Sequence, residues 1–336
     1  KRFRNVASLD PQEWGDDCQR WVARLQLYAE IADLADHKST QERARRKWTA
    51  YLDSYDAEFD PLEVSAKIIS APPTPTPTTP AAPQKVPPVI KPLPPKPKLL
   101  RVEDLLPAPF AWCPVTAGKV TIEKKTVDVP AFSIAKYPVT NAQYEVFLKD
   151  GYGDEQWWRY STEAQDWRRQ NPQPRDTAFA GQDLPRTNVC WYDAVAFCQW
   201  LSAKTGEKIM LPTEQQWQRA AQGDEGRAYP WGNKWDGKRC NNSVKPEDSS
   251  TTTPVTQYEG KGDSPFKVVD MAGNVWEWCV TDYDSGEQDI SKTATYRVLR
   301  GGSWNLNLTV NFRADSRNRY GPDDRNNLIG FRLARS

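Results

Sequence analysis

Twelve of the chain's 28 prolines fall within residues 71–98, in runs such as Pro72-Pro73-Thr74-Pro75-Thr76-Pro77. Proline fixes φ and lacks an amide donor, so neither helix nor sheet can continue through this stretch. It reads as a semi-rigid, solvated polyproline-II spacer. Its Pro-x-x-Pro spacings also suit an SH3-type ligand, but a plain spacer is the simpler reading. The chain therefore divides into residues 1–70, a linker over 71–98, and residues 99–336. A length of 336 residues accommodates that division.

Residues 1–70 are rich in charge and alanine. Leu25, Tyr28, Ala29, Ala32 and Leu34 recur at near-helical spacing, as do Ala44, Trp48, Tyr51, Leu52 and Tyr55. Ser39-x-x-Glu42 is a capping box that would open the second helix. A helical hairpin, or the end of a larger helical module, is expected here, either as a docking element for a partner protein or as an exposed spacer. The chain opens on Lys1 rather than Met, which reads as a piece of a longer product.

Residues 99–336 have the pattern of one α+β domain with much irregular structure. Short strands are expected at Lys119–Ile122, Phe132–Ala135, Tyr296–Arg300 and Ile329–Leu333. A first helix follows the cap Thr140, with Gln143 closing its box and Tyr144, Phe147 and Leu148 turned inward. A second runs from Asp193 to Ser202. A third follows the cap Thr213, with Gln216 closing the box, and stops near Gly223.

Composition removes several functions. The only histidine is His37, so the C-terminal domain can hold neither a histidine triad nor a multi-histidine metal site. Lys+Arg is 45 against 44 for Asp+Glu, which argues against nucleic-acid binding. No apolar run approaches the roughly 18 residues of a membrane span. No secretory leader is visible, so the expected compartment is the cytoplasm. The six cysteines include no Cys-x-x-Cys pair and read as reduced and mostly buried.

Five phrases then appear in a fixed order. They are Tyr137-Pro138-Val139-Thr140-Asn141-x-x-Tyr144, Leu211-Pro212-Thr213-Glu214-x-x-Trp217, Tyr229-Pro230-Trp231-Gly232, Met271 through Trp278, and Arg300-Gly301-Gly302-Ser303-Trp304, the last followed by Gly330-Phe331-Arg332. Their order and spacing resemble the formylglycine-generating-enzyme (sulfatase-modifying-factor) domain family. That resemblance implies a C-type-lectin-like core, low in regular secondary structure. It also implies calcium at Asp270, Gly273, Val275 and Glu277, through two carboxylates and loop carbonyls. A second, poorer match falls at Asn241, Asn242, Glu247 and Ser249. Active members oxidise a substrate cysteine with two cysteines of their own; those positions are Leu306 and Asn311 here, and no cysteine lies beyond Cys279. No copper is therefore expected, because neither side chain supplies a thiolate.

The segment 305–328 carries asparagines at 305, 307, 311, 318, 326 and 327, punctuated by Arg313, Arg317, Arg319 and Arg325. This spacing resembles the variable region of diversity-generating-retroelement target proteins. The resemblance implies a variable region over 300–332, with a fixed frame of Arg300–Trp304, Arg313, Ala314, Arg317, Arg319, Pro322, Arg325 and Ile329–Arg332. The departures at Leu306, Thr309, Val310, Phe312, Ser316, Tyr320, Gly321, Asp324 and Leu328 are all reachable from an Asn codon altered at its first two letters. Together with Asn307, Asn318, Asn326 and Asn327 they form the candidate ligand face. Its expected partner is a protein or other macromolecule, and its residue mix resembles that of antibody paratopes. Leu306, Tyr320, Asp324 and Leu328 are expected to be largely exposed, and Trp304 and Phe331 to lie in the core. Three functions stay open at this point: a non-catalytic binding protein, a formylglycine-type oxidase, and a non-diversified regulatory or structural subunit.

Overall fold

Helices form where local capping chemistry specifies them. In the computed structural model, which describes residues 99–244 and 250–336, Thr140 and Thr213 each accept from the amide of a glutamine three residues on. Each glutamine side chain accepts from the threonine amide in return. In chain order the elements are α1 (Val102–Leu105), β1 (Trp112–Val115), β2 (Gly118–Ile122), β3 (Lys125–Val129), β4 (Phe132–Ala135), α2 (Asn141–Asp150), α3 (Thr162–Gln170) and α4 (Trp191–Thr205). They continue with β5 (Ile209–Met210), α5 (Glu214–Gln222), β6 (Trp276–Asp282), β7 (Arg297–Arg300), β8 (Arg317–Tyr320), β9 (Ile329–Phe331) and β10 (Ala334–Arg335). The helices expected within 1–70 and the linker at 71–98 lie outside the described residues.

The second expected helix is longer than its apolar pattern. It starts at Trp191 because the Trp191 amide donates to Pro322 O at 3.0 Å, which satisfies an orphan helix-start donor from the C-terminal segment. It ends at Gly206, whose φ of 72° is the left-handed cap a glycine supplies.

Among the described residues three sheets result. The first has the order β1-β4-β10-β5, all antiparallel, and the second is the β2-β3 hairpin. The third has the order β8-β7-β6-β9, with β9 parallel to β6 and the other pairs antiparallel. Every residue of β6 is buried. Its polar side chains are paired instead of solvated: Glu277 with Arg332, and Thr281 with the Glu214 amide.

Tryptophan fills the core and places its N–H groups. The indoles of Trp191, Trp278, Trp200 and Trp217 donate to Cys279 O, Val189 O, Asp150 and Glu277. Cys113, Cys190, Cys198, Cys240 and Cys279 are free and buried. Among the described residues no helix is long and apolar enough to cross a membrane.

The candidate ligand face and its anchors

The segment 300–332 begins at the end of β7 with two glycines. Gly301 and Gly302 have φ of 98° and 80°, and a side chain at Gly302 would come within 3.0 Å of Asn311 O. The backbone then ties itself to three parts of the scaffold. Trp304 N donates to Asn274 O, Leu306 O accepts from Ser243 N, and Ala314 N donates to Ala228 O. A short 3-10 turn covers Thr309–Phe312. Chain pairing in β8 and β9 makes the segment an integral part of the third sheet.

Four arginines fix it from inside. Arg300, fully buried, donates to Glu214 Oε1 at 2.6 Å, to Gln218 Oε1 at 2.9 Å, and to the carbonyls of Ala314 and Ser316. Arg317 grips the same Glu214 carboxylate in a fork, at 2.8 and 3.0 Å, and stacks over Tyr283. Arg325 pairs with Asp193 of α4 at 3.1 Å and lies over Trp167. Arg332 donates to both oxygens of Glu277 at 2.6 Å. Burial pushes the Asp193 carboxyl up to about 6, and Arg325 only partly opposes the shift. The other frame arginines stay at the surface. Arg313 pairs with Asp315, and Arg319 lies between the rings of Tyr283 and Tyr296.

Between these anchors, Asn307, Val310 and Asp324 are exposed. Thr309, Ser316, Asn318, Gly321, Asn326 and Asn327 are half-buried. Expectations for five residues need correction. Phe312 is fully buried, because the 3-10 turn swings its ring onto Trp235 at 5.1 Å. Leu306, Tyr320 and Leu328 are half-buried rather than largely exposed, since all three pack against the main apolar cluster. Trp304 is half-exposed and not a core residue; its ring meets Phe179 edge-on, and its N–H donates to Asn327 O. Leu308, absent from the expected face, is 60% exposed beside Val310 at 56%. Leu308 meets the same Asn-codon criterion as Leu306 two residues earlier, and its exposure places it on the face.

The calcium expectation meets an obstacle at Glu277. Both its oxygens are taken by the Arg332 guanidinium, and Oε2 also accepts from Trp217 Nε1 at 2.7 Å. A guanidinium therefore stands where the cation would need its second carboxylate. Asp270 keeps one buried oxygen without a partner, while the other accepts from Asn274 Nδ2 at 2.9 Å. The Gly273 N–H donates to Gly301 O, a bond that leaves the carbonyls of Gly273 and Val275, the expected ligands, untouched. One unpaired carboxylate oxygen and two loop carbonyls are fewer than the six to eight oxygens calcium takes, so an ion here would need water, or release of Glu277 from Arg332, to complete its shell. At the second expected site, the Asn241 amide bridges Thr251 O and Asn274 Oδ1, and the Asn242 amide bonds Gly237 O and Cys240 O. Glu247 and Ser249 lie outside the described residues. No cluster of three or more His, Cys, Asp or Glu suited to a metal occurs among the described residues.

The arrangement is a C-type-lectin-like fold, and Treponema denticola variable protein 1 shares it. That solved structure superimposes with a TM-score of 0.52 at 21% identity, covering 67% of this chain and 95% of the other. The chain belongs to the sulfatase-modifying factor enzyme 1-like domain (FGE-sulfatase) family, which matches residues 114–336. It is 30% identical over 253 residues to the inactive C-alpha-formylglycine-generating enzyme 2 of Bos taurus, covering 62% of this chain and 79% of the bovine protein. It is 33% identical over 242 residues to the hercynine oxygenase of Mycolicibacterium thermoresistibile, covering 62% of this chain and 51% of the oxygenase. The match thus spans about half the length of that relative.

Proposed function

We propose that this chain is a non-catalytic binding protein whose segment 300–332 displays a diversified ligand face to a protein or other macromolecular partner. The observation that carries the reading is the division of labour within the segment. Arg300, Arg317, Arg325 and Arg332 are drawn into buried carboxylates, while Asn307, Leu308, Val310 and Asp324 face solvent between them. Two aliphatic side chains held out in water on a clamped backbone contribute little to folding, and suit contact with a partner. Leu306 and Asn311 at the positions of the family's catalytic cysteines support the non-catalytic reading. So does the burial of the five described thiols, each with its pKa raised chiefly by burial. Free thiols also suit the cytoplasm.

The diversification claim is tested in the source genome. The account expects a second copy of the 300–332 coding segment beside a reverse transcriptase, differing at adenines. Its absence from a complete genome would reduce the reading to a fixed binding face. The enzymatic alternative is tested by incubating the full chain with copper and a Cys-x-Pro-x-Arg peptide. No oxidation above background is expected, and turnover at an enzymatic rate would overturn the non-catalytic reading.

A further inference from the structure

The pair of Arg325 and Asp193 fastens one end of the ligand face to the helical core. Asp193 stands in the first turn of α4, its side chain 3% exposed against 11% for that of Arg325. Backbone bonds beside the pair tie the same stretch to the start of that helix. Asn188 N donates to Asn326 O, and Trp191 N donates to Pro322 O. Arg325 is flanked in sequence by the candidate face positions Asp324, Asn326, Asn327 and Leu328.

Charge reaches Asp193 from every side. Besides Arg325, Arg168 faces it from α3 and Arg186 from the loop before α4. Tyr144 of α2, Tyr152 just beyond that helix, Tyr160 before α3 and the Cys190 thiol at the start of α4 feel its charge in turn. Burial pushes those three phenols and the thiol upward, so they stay neutral. Guanidiniums stay charged at any ordinary pH. Residues 99–336 contain no histidine. Within this nest Asp193 is therefore the group that changes charge near neutrality, at about 6.

The three guanidiniums are held unequally. Arg168 donates to the carbonyls of Tyr152, Asn171 and Pro172, and Arg186 donates to Arg175 O. Arg325 donates to Asp193 and lies over Trp167, while its Nε is buried without a partner. It is also half-buried where the other two are buried. Loss of the Asp193 charge thus frees Arg325 before the others. Linkage gives the direction. The Arg325 charge lowers the Asp193 carboxyl, so the proton is held more tightly when Arg325 is away. Acid then favours the arrangement in which the pair is broken.

We propose that Asp193 is a proton switch beneath the ligand face: ionised, it clamps Arg325 and holds residues 321–328 firm; protonated, it lets Arg325 turn to solvent and leaves that stretch slack. Release of a bound partner in acid would follow. That consequence rests on the binding reading above, whereas the switch itself does not.

Hydrogen exchange of the full chain, read by mass spectrometry at pH 7.5 and pH 5 and corrected for the intrinsic effect of pH, tests the switch without a ligand. Wild-type protection over 321–328 and at Asn188 and Trp191 should fall by about tenfold in acid, the change given by a difference of about one pKa unit at Asp193 between the clamped and released arrangements. β6 should keep its protection. Asp193→Asn should exchange at both pH values as the wild type does in acid. Arg325→Gln, which leaves Asp193 in place, should do the same. Equal wild-type protection at the two pH values overturns the proposal. So does an acid loss that persists in Asp193→Asn, or one that β6 shares.

Discussion

Glu214 accepts from two guanidiniums, Arg300 and Arg317, while itself only 2% exposed at its side chain. Glu214→Gln keeps the shape and removes the charge, leaving the buried Arg300 uncompensated and Arg317 with only the exposed Glu123 at 2.6 Å. Breaking a buried pair costs about 3–5 kcal/mol. Urea unfolding of the full chain followed by tryptophan fluorescence measures it, and a loss under about 1 kcal/mol would show that Glu214 is not the anchor. Asp193 offers a pH signature. Its carboxyl titrates near 6 when folded, against 3.8 for the unreacted group. The folded state therefore keeps a proton that the unfolded state loses, and stability falls as pH rises between those values. The effect is at most about 3 kcal/mol. Asn titrates nowhere, so the melting difference between Asp193→Asn and wild type should shift in favour of the variant from pH 4 to pH 7. A constant difference would remove Asp193 from the account. Sequence could name Arg325 as a frame residue but could not give its partner. Asp193 lies 132 residues away, and long-range ion pairs leave no local pattern.

At the scale of elements, capping was readable because it is local. Thr140 and Thr213 make the boxes their sequences specify. Thr213→Ala should cost about 1 kcal/mol, read as a lowered urea midpoint; an unchanged midpoint would mean the cap is redundant with the Thr281 contact to Glu214 N. The strands were less legible. β6 carries Glu277, Thr281 and Asp282 among its apolar residues, so it lacks the alternation or continuous apolar run that marks a strand. β8 reads Arg-Asn-Arg-Tyr, which has no apolar pattern at all, and it exists because β7 offers it an edge. The loop from Asp270 to Glu277 illustrates the same limit. Its acidic residues suit calcium in sequence, but Arg332, 55 residues on, occupies Glu277. A metal-free sample and one given excess calcium should therefore melt together. A clear upward shift with calcium would show that the loop holds the ion in spite of this pair.

For the whole molecule, the family-level order of motifs made the fold of residues 99–336 readable. The division into frame and face was readable only in part. Arg300 and Arg332 emerged as buried anchors, whereas Phe312 and Leu328 could not be sorted from Val310 by sequence, since all three are apolar residues in a polar stretch. Burial sorts them. The central claim is that the scaffold is indifferent to what the exposed positions carry. The direct measurement is the thermal unfolding midpoint of the full chain with Leu308, Val310 and Asp324 together changed to Ser, beside Phe312→Ala as the contrast. Exposed changes usually stay within about 0.5 kcal/mol each, whereas truncating a buried phenylalanine costs about 3–5 kcal/mol. The account predicts a triple variant that melts close to wild type and a Phe312 variant that melts far below it. A triple variant that unfolds or aggregates under conditions where wild type is folded would contradict the account, because those side chains would then belong to the fold and not to a displayed face.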